Sequence, residues 1–392
     1  MNMISISPEP VPCHICDSQS AVIIPGYARF RRVTSDCKPW KSGGKLSVCP
    51  ACGSAQAVVD QSWRSETQQI YQDYTIYYQS QGAEQNVFDQ ASGQALSRST
   101  RLLQRLQAKS ILPARGRLMD VGCGNGALLR AFSAITQGWS SVGVEINDHY
   151  RQAVEQIPGV EGLFVCPPEK APGRFQLITL MHAIEHIPSP GEFLVRLGDK
   201  LDDGGLLLIQ VPDCDENPFM FLVADHASHF TVSTLKELVR RSGYEVSVAA
   251  TDWVAKEITI VAQKSCSSIR PAPRVPSAAT RELVTRRLDW LAILVDATRR
   301  LAEPERFGLF GTSIAATWLF AELERQVSFF IDEDPHRIGR TFFGHPIYSP
   351  QAAPPDSRVF IALPPQMADE VKNRMERLGL PVQFSAPPPL PA

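Results

Sequence analysis

The chain of 392 residues is long enough for two or three domains, and its 44% hydrophobic and 20% charged residues are typical of a globular protein. Its 39 Lys and Arg residues against 41 Asp and Glu residues give a formal charge of -2, so there is no basic excess for binding a nucleic-acid backbone. No apolar run reaches the ~20 residues of a membrane helix, and the first residues do not resemble a secretory signal. We therefore expect a cytoplasmic protein that binds neither nucleic acid nor a membrane.

Four of the nine cysteines form two Cys-x-x-Cys pairs near the N-terminus. Each pair can present two thiolates to one ion, which is the arrangement of a tetrahedral zinc site. Residues 1–60 contain few large aliphatic side chains, so we predict a small zinc-ribbon-like domain stabilised by a structural zinc ion. The predicted ligands are Cys13, Cys16, Cys49 and Cys52. His14 or Cys37 in place of one cysteine is the alternative.

Residues 61–110 are rich in Gln, Tyr and Ser and are predicted to connect this domain to the next. Four tyrosines recur at the spacing of one helix face, which is more often a packing stripe than a substrate contact. These are Tyr71, Tyr74, Tyr77 and Tyr78. A second helix, over residues 98–109, is predicted to lead into the following domain.

Strands alternate with helices from residue 111 to residue 265, which predicts a mostly parallel sheet with helices on both faces. The predicted strands are 117–121, 141–145, 177–180, 205–210, 245–250 and 258–262. The predicted helices are 126–135, 148–156, 190–200 and 234–242.

Residues 266–281 contain three prolines and no aliphatic periodicity, which predicts a linker. The alternation then resumes and predicts a smaller Rossmann-like α/β domain over residues 282–392. Its predicted helices are 282–301, 313–324 and 367–378, and its predicted strands are 306–310, 327–332 and 358–362.

The sharpest local signal lies between Asp120 and Gly126, where a strand ends in an acid and three alternate glycines lead into a helix. Glycine is needed where a cofactor lies directly on a strand-to-helix turn. Glu145 ends the next strand, where a carboxylate can accept hydrogen bonds from two ribose hydroxyls. The motif therefore predicts a nucleoside-containing cofactor.

The same glycines also satisfy the dinucleotide pattern G-x-G-x-x-G/A, which alone is a weak signal. An S-adenosylmethionine site is favoured because Asp120 precedes the first glycine by two residues, near the expected methionine ammonium, and because Asn125 is followed directly by the third glycine. The predicted cofactor-binding residues are Asp120, Gly122, Cys123, Gly124, Asn125, Gly126, Glu145, Ile146 and His182.

Residues 111–265 resemble a class I S-adenosylmethionine-dependent methyltransferase. The segments D-V-G-C-G-N-G, G-V-E, F-Q-L-I-T-L, H-A-I-E-H-I and D-D-G-G-L-L-L-I occur in that superfamily's order and spacing. The resemblance implies a seven-stranded sheet, a glycine loop that holds the methionine and ribose, and Glu145 on the ribose. For the adenine it leaves Glu169 as a candidate.

The order of the parts resembles the zinc-binding sugar C-methyltransferases, which act on nucleotide-linked keto-deoxysugars. The resemblance implies a small-molecule acceptor, a nucleotide-sugar, and a histidine base, here His226. An imidazole with a pKa near ~6.5 can take a proton from a hydroxyl or from a carbon beside a ketone. Asp225, where that family has glutamate, would orient the base. His229, where it has tyrosine, or Tyr78 or its neighbour Tyr77 would donate to an enolate oxygen.

Three alternatives stay open. His226 and His229 can instead be a hydrogen-bonded pair that closes the loop over the cofactor. His182, Glu185 and His186 can hold a divalent metal in an O- or N-methyltransferase of another small molecule, although we prefer His182 lining the cofactor pocket and the other two supporting the loop. Without cofactor binding, the chain would be a non-catalytic binding module. The sequence does not decide whether the chain forms a homo-oligomer.

The C-terminal domain carries a weaker signal. Gly311, Thr312 and Ser313 precede a predicted helix, and such a turn favours an anion, while Asp332 ends the next strand in a position to meet ribose hydroxyls. The resemblance implies that this domain helps to bind the nucleotide-sugar. A purely structural lobe is the alternative, because the full G-x-G-x-x-G motif is absent.

Overall fold

The computed structural model describes residues 11–77, 80, 82–88, 95–265, 277–302, 306–323 and 326–391. No helix in these ranges is both long enough and apolar enough to span a membrane.

The N-terminal part consists of short strands around the four paired cysteines. The strands are β1 (Val22–Ile23), β2 (Arg32–Val33), β3 (Pro39–Trp40), β4 (Leu46–Val48) and β5 (Ala55–Ala57). Strands β1, β4 and β5 form an antiparallel sheet, and β2 pairs with β3. Strands of two or three residues bury little apolar surface, so this part depends on its cysteine cluster and on its neighbours.

The connector contains two helices and a hairpin. These are α1 (Gln61–Gln72), β6 (Asn86–Phe88), β7 (Ala95–Ser97) and α2 (Arg98–Ala108). Helix α1 begins after Asp60, whose carboxylate accepts a 3.0 Å hydrogen bond from the Trp63 amide, because an N-cap side chain satisfies a free helical N–H.

The predicted tyrosine stripe is wrong as a single helix face, because α1 ends at Gln72. Tyr71 lies in the helix, whereas Tyr74 and Tyr77 lie in the loop that follows. The backbone of Tyr77 is left-handed, with φ of 52°. Tyr78 lies outside the described residues.

The central part is a seven-stranded mixed sheet with helices packed on it. Its strands are β8 (Gly116–Val121), β9 (Trp139–Glu145), β10 (Val160–Val165), β11 (Phe175–Met181), β12 (Leu201–Pro212), β14 (Tyr244–Ala250) and β15 (Glu257–Lys264). Its helices are α3 (Ala127–Ile135), α4 (Arg151–Glu155), α5 (Pro190–Leu197) and α6 (Val232–Arg241). The short strand β13 (Ser228–His229) belongs to another sheet.

The strand order is β10-β9-β8-β11-β12-β15-β14, with the first five strands parallel and β15 antiparallel to both neighbours. This confirms the seven-stranded sheet that the resemblance implies. Strand β10 was not among the strands predicted from the pattern, because it is an edge strand with only one buried residue, Leu163. Parallel strands place their carboxyl ends at one edge, so the segments after β8, β9 and β11 lie side by side.

The C-terminal part is a second α/β unit. Its elements are α7 (Ser277–Leu301), β16 (Phe307–Phe310), α8 (Ile314–Leu323), β17 (Phe329–Ile331), β18 (Thr341–Phe342), β19 (His345–Tyr348), β20 (Ser357–Ile361), α9 (Pro365–Arg377) and β21 (Val382–Ser385). The strand order is β18-β19-β17-β16-β20-β21, and β18 alone of these strands pairs antiparallel.

Helix α7 begins inside the predicted linker, so residues 277–281 are helical and the linker prediction is wrong there. Alanines near the start of this segment favour a helix over an extended linker. Residues 266–276 lie outside the described ranges.

The three parts share their packing. One apolar cluster contains Val33 of the N-terminal part, Phe219 of the central part and Trp318 of the C-terminal part, each with 0% exposure. Strand β13 extends the N-terminal sheet, because Ser228 pairs with Gln56 and His229 follows in register. The N-terminal part is therefore anchored on the loop that carries the predicted base.

Candidate active site

The glycine loop between β8 and α3 has the backbone that its sequence predicts. Gly122, Gly124 and Gly126 have φ of 72°, 52° and 80°, a region that residues with a Cβ rarely adopt. A Cβ at Gly124 would lie 2.3 Å from Cδ1 of Ile76, in the connector loop. The loop from Gly122 to Gly126, called the glycine cradle below, is therefore covered by the connector. It has no room for side chains at the glycine positions.

Glu145 lies across the cradle at the end of β9. One carboxylate oxygen accepts a 2.7 Å hydrogen bond from the Gly124 amide, and the other accepts a 3.0 Å bond from the Ile146 amide. The Ile146 side chain is 70% exposed, which is unusual for a large apolar residue. Together with Asn147 and helix α1 it lines an open surface groove of about 520 Å³. An exposed apolar side chain beside a carboxylate suits a purine ring next to a ribose.

Asp120 lies at the inner end of the loop and is 1% exposed. Its carboxylate accepts a 2.7 Å hydrogen bond from the Thr179 hydroxyl. Burial raises the pKa of Asp120 to about 7, against the opposing effect of that hydrogen bond. An ammonium group beside this carboxylate would favour its charged form.

Cys123 and Asn125 have their side chains turned away from the cradle. The Cys123 thiol is buried beside Gly143, where a Cβ would lie 2.6 Å from Sγ. The Asn125 amide donates a 2.6 Å hydrogen bond to the Gly82 carbonyl in the connector. Cys123 can therefore contact a ligand only through its backbone, and Asn125 joins the loop to its roof.

The residues of this edge fit S-adenosylmethionine. The glycine cradle, the carboxylate of Glu145 and the buried acid Asp120 match the amino-acid and ribose parts of that molecule. Glu169, the adenine candidate, forms an ion pair with Arg196 at 3.3 Å, so its carboxylate has a partner within the protein.

His182 follows β11 in a left-handed conformation, with φ of 51°. Its Nε2 lies 3.1 Å from Glu257 and accepts a hydrogen bond from Arg98, while its Nδ1 lies 3.5 Å from Glu185. Burial opposes a charge on this ring, but the two carboxylates raise the pKa of His182 overall. His182 thus lies between the carboxylates of Glu185 and Glu257 and beside the Arg98 guanidinium.

Asp225 is fully buried and holds the loop before β13 in place. Its two carboxylate oxygens accept hydrogen bonds of 2.9 and 2.5 Å from the amide and hydroxyl of Ser35. His186 Nδ1 lies 3.4 Å from the same carboxylate and 3.1 Å from the Asp225 carbonyl. Burial raises the pKa of Asp225, although His186 and Ser35 act in the opposite direction. Asp225 therefore orients His186, and not His226 as the sequence predicted, and it anchors the N-terminal part.

His226 and His229 lie close together but in different surroundings. The His226 ring contacts the His186 ring edge-on at 4.8 Å and lies 5.9 Å from the His229 ring. Burial lowers the pKa of His226 well below its usual value and that of His229 to about 3, so both rings are neutral near pH 7. The two rings pack against each other, and the His229 Nδ1 has no partner among the described residues. His226 lies beside Glu185 and His186, whereas His229 lies in β13, which extends the N-terminal sheet.

The four paired cysteines form a compact cluster. The Sγ atoms of Cys13 and Cys52 lie 3.5 Å apart and those of Cys16 and Cys49 3.6 Å apart, and all four are within 4.8 Å of one another. Zinc–sulfur bonds of ~2.3 Å in a tetrahedron require sulfur separations of about 3.8 Å, so the set fits one structural zinc ion.

The two alternative ligands lie elsewhere. The His14 ring bonds to Ser228 at 3.0 Å, and Cys37 is buried apart from the cluster, where burial raises the pKa of its thiol to about 12.

The prediction that Asp332 meets ribose hydroxyls is not supported. Its carboxylate accepts a 2.7 Å hydrogen bond from Thr312 and lies 3.4 Å from Arg337, which is itself buried and also donates to Thr312. The guanidinium of Arg337 therefore occupies the turn before α8 and pairs with Asp332. This arrangement favours a structural role for these residues over nucleotide binding.

Sequence reasoning missed several residues of the active-site edge. Arg98 and Glu257 come from elements with no motif, and only the fold places them beside His182. Ser35 likewise reaches Asp225 from the N-terminal part. Tyr71 was predicted to be a packing residue, yet its hydroxyl lies 3.1 Å from His186 Nδ1. The regular spacing of Tyr71 with the tyrosines that follow it was the sequence signal that could have identified it.

Comparison with known proteins agrees with this geometry. Residues 91–247 match the family model described as a methyltransferase domain. The chain therefore contains an S-adenosylmethionine-dependent methyltransferase domain with the class I Rossmann-like fold.

Two curated relatives are small-molecule methyltransferases by name. Trans-aconitate 2-methyltransferase of Rhodopseudomonas palustris is 30% identical over 124 residues, which are 30% of this chain and 47% of the relative. Ubiquinone biosynthesis O-methyltransferase of Methylococcus capsulatus is 27% identical over 111 residues, which are 26% of this chain and 46% of the relative. The chain thus spans about half the length of the curated relatives it matches.

Among solved structures, a TehB-like S-adenosylmethionine-dependent methyltransferase from Corynebacterium glutamicum is 18% identical. The match covers 45% of this chain and 91% of that chain, with a TM-score of 0.34.

Proposed function

We propose that the whole protein transfers a methyl group from S-adenosylmethionine to a small-molecule acceptor, a nucleotide-linked sugar or a related glycan or natural-product precursor. The observation that carries the proposal is the position of the cluster of His182, Glu185, His186 and His226, which lies at the same sheet edge as the glycine cradle and Glu145. Donor-binding and acceptor-activating groups are thereby adjacent, as an in-line displacement requires.

S-adenosylmethionine, when bound, supplies an electrophilic methyl group on a sulfonium. The acceptor atom gains this methyl group and loses one proton, so the protein must hold the donor and make the acceptor nucleophilic. Glu145 and the loop amides hold the donor. Two chemistries at the cluster can activate the acceptor: proton transfer to an imidazole, for which His226 is the candidate base, or polarisation by a divalent ion.

A turnover screen tests this proposal. The full chain is incubated with S-adenosylmethionine and a panel of nucleotide-sugars, and mass spectrometry detects the added methyl group. We expect methylation by the wild type and none by His226→Ala, with cofactor affinity in calorimetry nearly unchanged. Loss of cofactor binding in that variant would show a structural role for the histidine, and cofactor binding without any methylated sugar would refute the acceptor class.

The second candidate is O- or N-methylation of another small molecule with help from a divalent metal. The convergence of Glu185 and His186 with a further imidazole favours it, and both curated relatives are named for small-molecule acceptors. Turnover lost on chelation and restored by Mg²⁺ or Mn²⁺, with zinc retained at the cysteines, would favour this candidate.

A further inference from the structure

Three side chains of the types that bind metals lie close together near the end of β11. Glu185 and His186 lie in one short turn, and His226 lies in the loop before β13. One possible ligand atom of each lies within 4.8 Å of the other two. The backbone holds this arrangement, because the Ala227 amide donates a 2.8 Å hydrogen bond to the Glu185 carbonyl.

The carboxylate of Glu185 is buried without hydrogen bonds. The residue is 1% exposed, and neither carboxylate oxygen has a hydrogen-bond partner within the described ranges. The nearest ion-pair partner is His182, whose Nδ1 lies 3.5 Å from one Glu185 oxygen, beyond hydrogen-bond length. Burying a carboxylate without hydrogen bonds is unfavourable, so this oxygen pair is suited to a cation.

His186 is oriented as metal-binding histidines are. Its Nδ1 is engaged at 3.1 Å by the Asp225 carbonyl and at 3.1 Å by the Tyr71 hydroxyl. Such contacts at one ring nitrogen fix the orientation of the ring and raise the basicity of the other. Nε2 is therefore the nitrogen available to an ion.

We infer that Glu185, His186 and His226 form a binding site for a divalent cation. Two imidazoles and one carboxylate on one side of an ion leave positions open for acceptor oxygens, and the set suits Mn²⁺, Fe²⁺ or Zn²⁺. Metal–ligand bonds of ~2.1 Å place neighbouring ligand atoms about 3 to 4 Å apart, a spacing that atoms within 4.8 Å of one another can reach by small side-chain movements.

The role of this ion rests on the proposed function, although its binding does not. The ion would hold an acceptor oxygen and lower the pKa of its hydroxyl. His226 would then act as a ligand and not as the base.

Mn²⁺ alone is a suitable probe, because it prefers nitrogen and oxygen ligands and leaves a four-thiolate zinc site intact. The full chain is titrated with Mn²⁺ while the electron paramagnetic resonance signal of the free ion is followed. We expect one bound Mn²⁺ per chain, with the zinc content unchanged by elemental analysis. Failure of the wild type to bind Mn²⁺ would overturn the inference.

Variants identify the ligands. Glu185→Gln preserves size and removes the charge, and we expect it and His226→Ala to weaken Mn²⁺ binding by about a hundredfold. His345→Ala, in the C-terminal part, is the control and should bind as the wild type does. Near-UV circular dichroism confirms the fold of each variant. Unchanged affinity in Glu185→Gln would refute the site.

Cofactor calorimetry and the turnover screen on the same samples separate the two proposals. Intact methyl transfer without Mn²⁺ binding would reject the metal site and keep the proposed function. Mn²⁺ binding without methylation of any nucleotide-sugar would keep the metal site and reject the proposed acceptor.

Discussion

The carboxylate of Glu145 reaches across from the end of β9 and accepts a 2.7 Å hydrogen bond from the backbone amide of Gly124. This bond joins the carboxyl ends of two neighbouring parallel strands. The same carboxylate is the group predicted to hold a ribose. On cofactor binding, Glu145 can exchange its hydrogen bond from the Gly124 amide for hydrogen bonds from the ribose hydroxyls.

Replacing Glu145 should therefore weaken cofactor binding more than it weakens the fold. Hydrogen bonds to a charged group contribute about 1.5–3 kcal/mol, so Glu145→Ala should weaken S-adenosylmethionine binding by about 10- to 100-fold in calorimetry. Glu145→Gln, which keeps one acceptor oxygen, should lose less. Wild-type affinity in the alanine variant would remove Glu145 from the site.

Gly124→Ala should destabilise the protein through two separable effects. The left-handed backbone costs a residue with a Cβ about 1–2 kcal/mol, and the new Cβ would overlap Ile76. Combining Gly124→Ala with Ile76→Ala should relieve the overlap and leave the backbone cost. A double-mutant cycle in denaturant unfolding measures this, with a coupling of about 1 kcal/mol expected. Strict additivity would mean that Ile76 does not roof the loop.

The raised pKa of Asp120 predicts a pH-dependent stability. Its pKa is about 7 in the folded protein against an ordinary value of 3.8, so the folded state retains a proton that the unfolded state releases. The free energy of unfolding should therefore fall as the pH rises from about 4 to about 7, by at most about 1.4 kcal/mol per pH unit from this group. Denaturant unfolding of wild type and Asp120→Asn across this range isolates the effect.

Bound S-adenosylmethionine should flatten that dependence, because a nearby ammonium favours the charged carboxylate. Equal slopes in the wild type and Asp120→Asn would show that Asp120 titrates normally.

Zinc removal should loosen the loop that carries His226. Strand β5 of the N-terminal part pairs with β13, and His14, next to the predicted ligand Cys13, bonds to Ser228 at 3.0 Å. We expect a strong chelator to lower the melting temperature and to speed amide hydrogen exchange at Ser228 and His229. Exchange in β16 serves as the control and should change less. Unchanged exchange at β13 would show that the site does not depend on the zinc part.

The glycine loop, Glu145 and the cysteine pairs were predictable because each is a local pattern whose chemistry depends on neighbouring residues. The central sheet was predictable because buried parallel strands are apolar throughout. Strand β10 was not, since an edge strand with one buried residue carries no such signal. The ion pair between Asp332 and Arg337 was not predicted, because a turn after β17 and no recognisable motif brings the two side chains together.

The sequence by itself predicted the glycine loop, the methyltransferase class and the clustering of four cysteines, because these depend on residue types at fixed short spacings. Only the tertiary structure decided that Ser35 would hold Asp225, that Tyr71 would bond His186, and that Glu185 would lie buried beside His226. These pairs are separated by tens to hundreds of residues in the chain, and they meet because parallel strands end at one edge and the N-terminal sheet is completed by a strand of the central part.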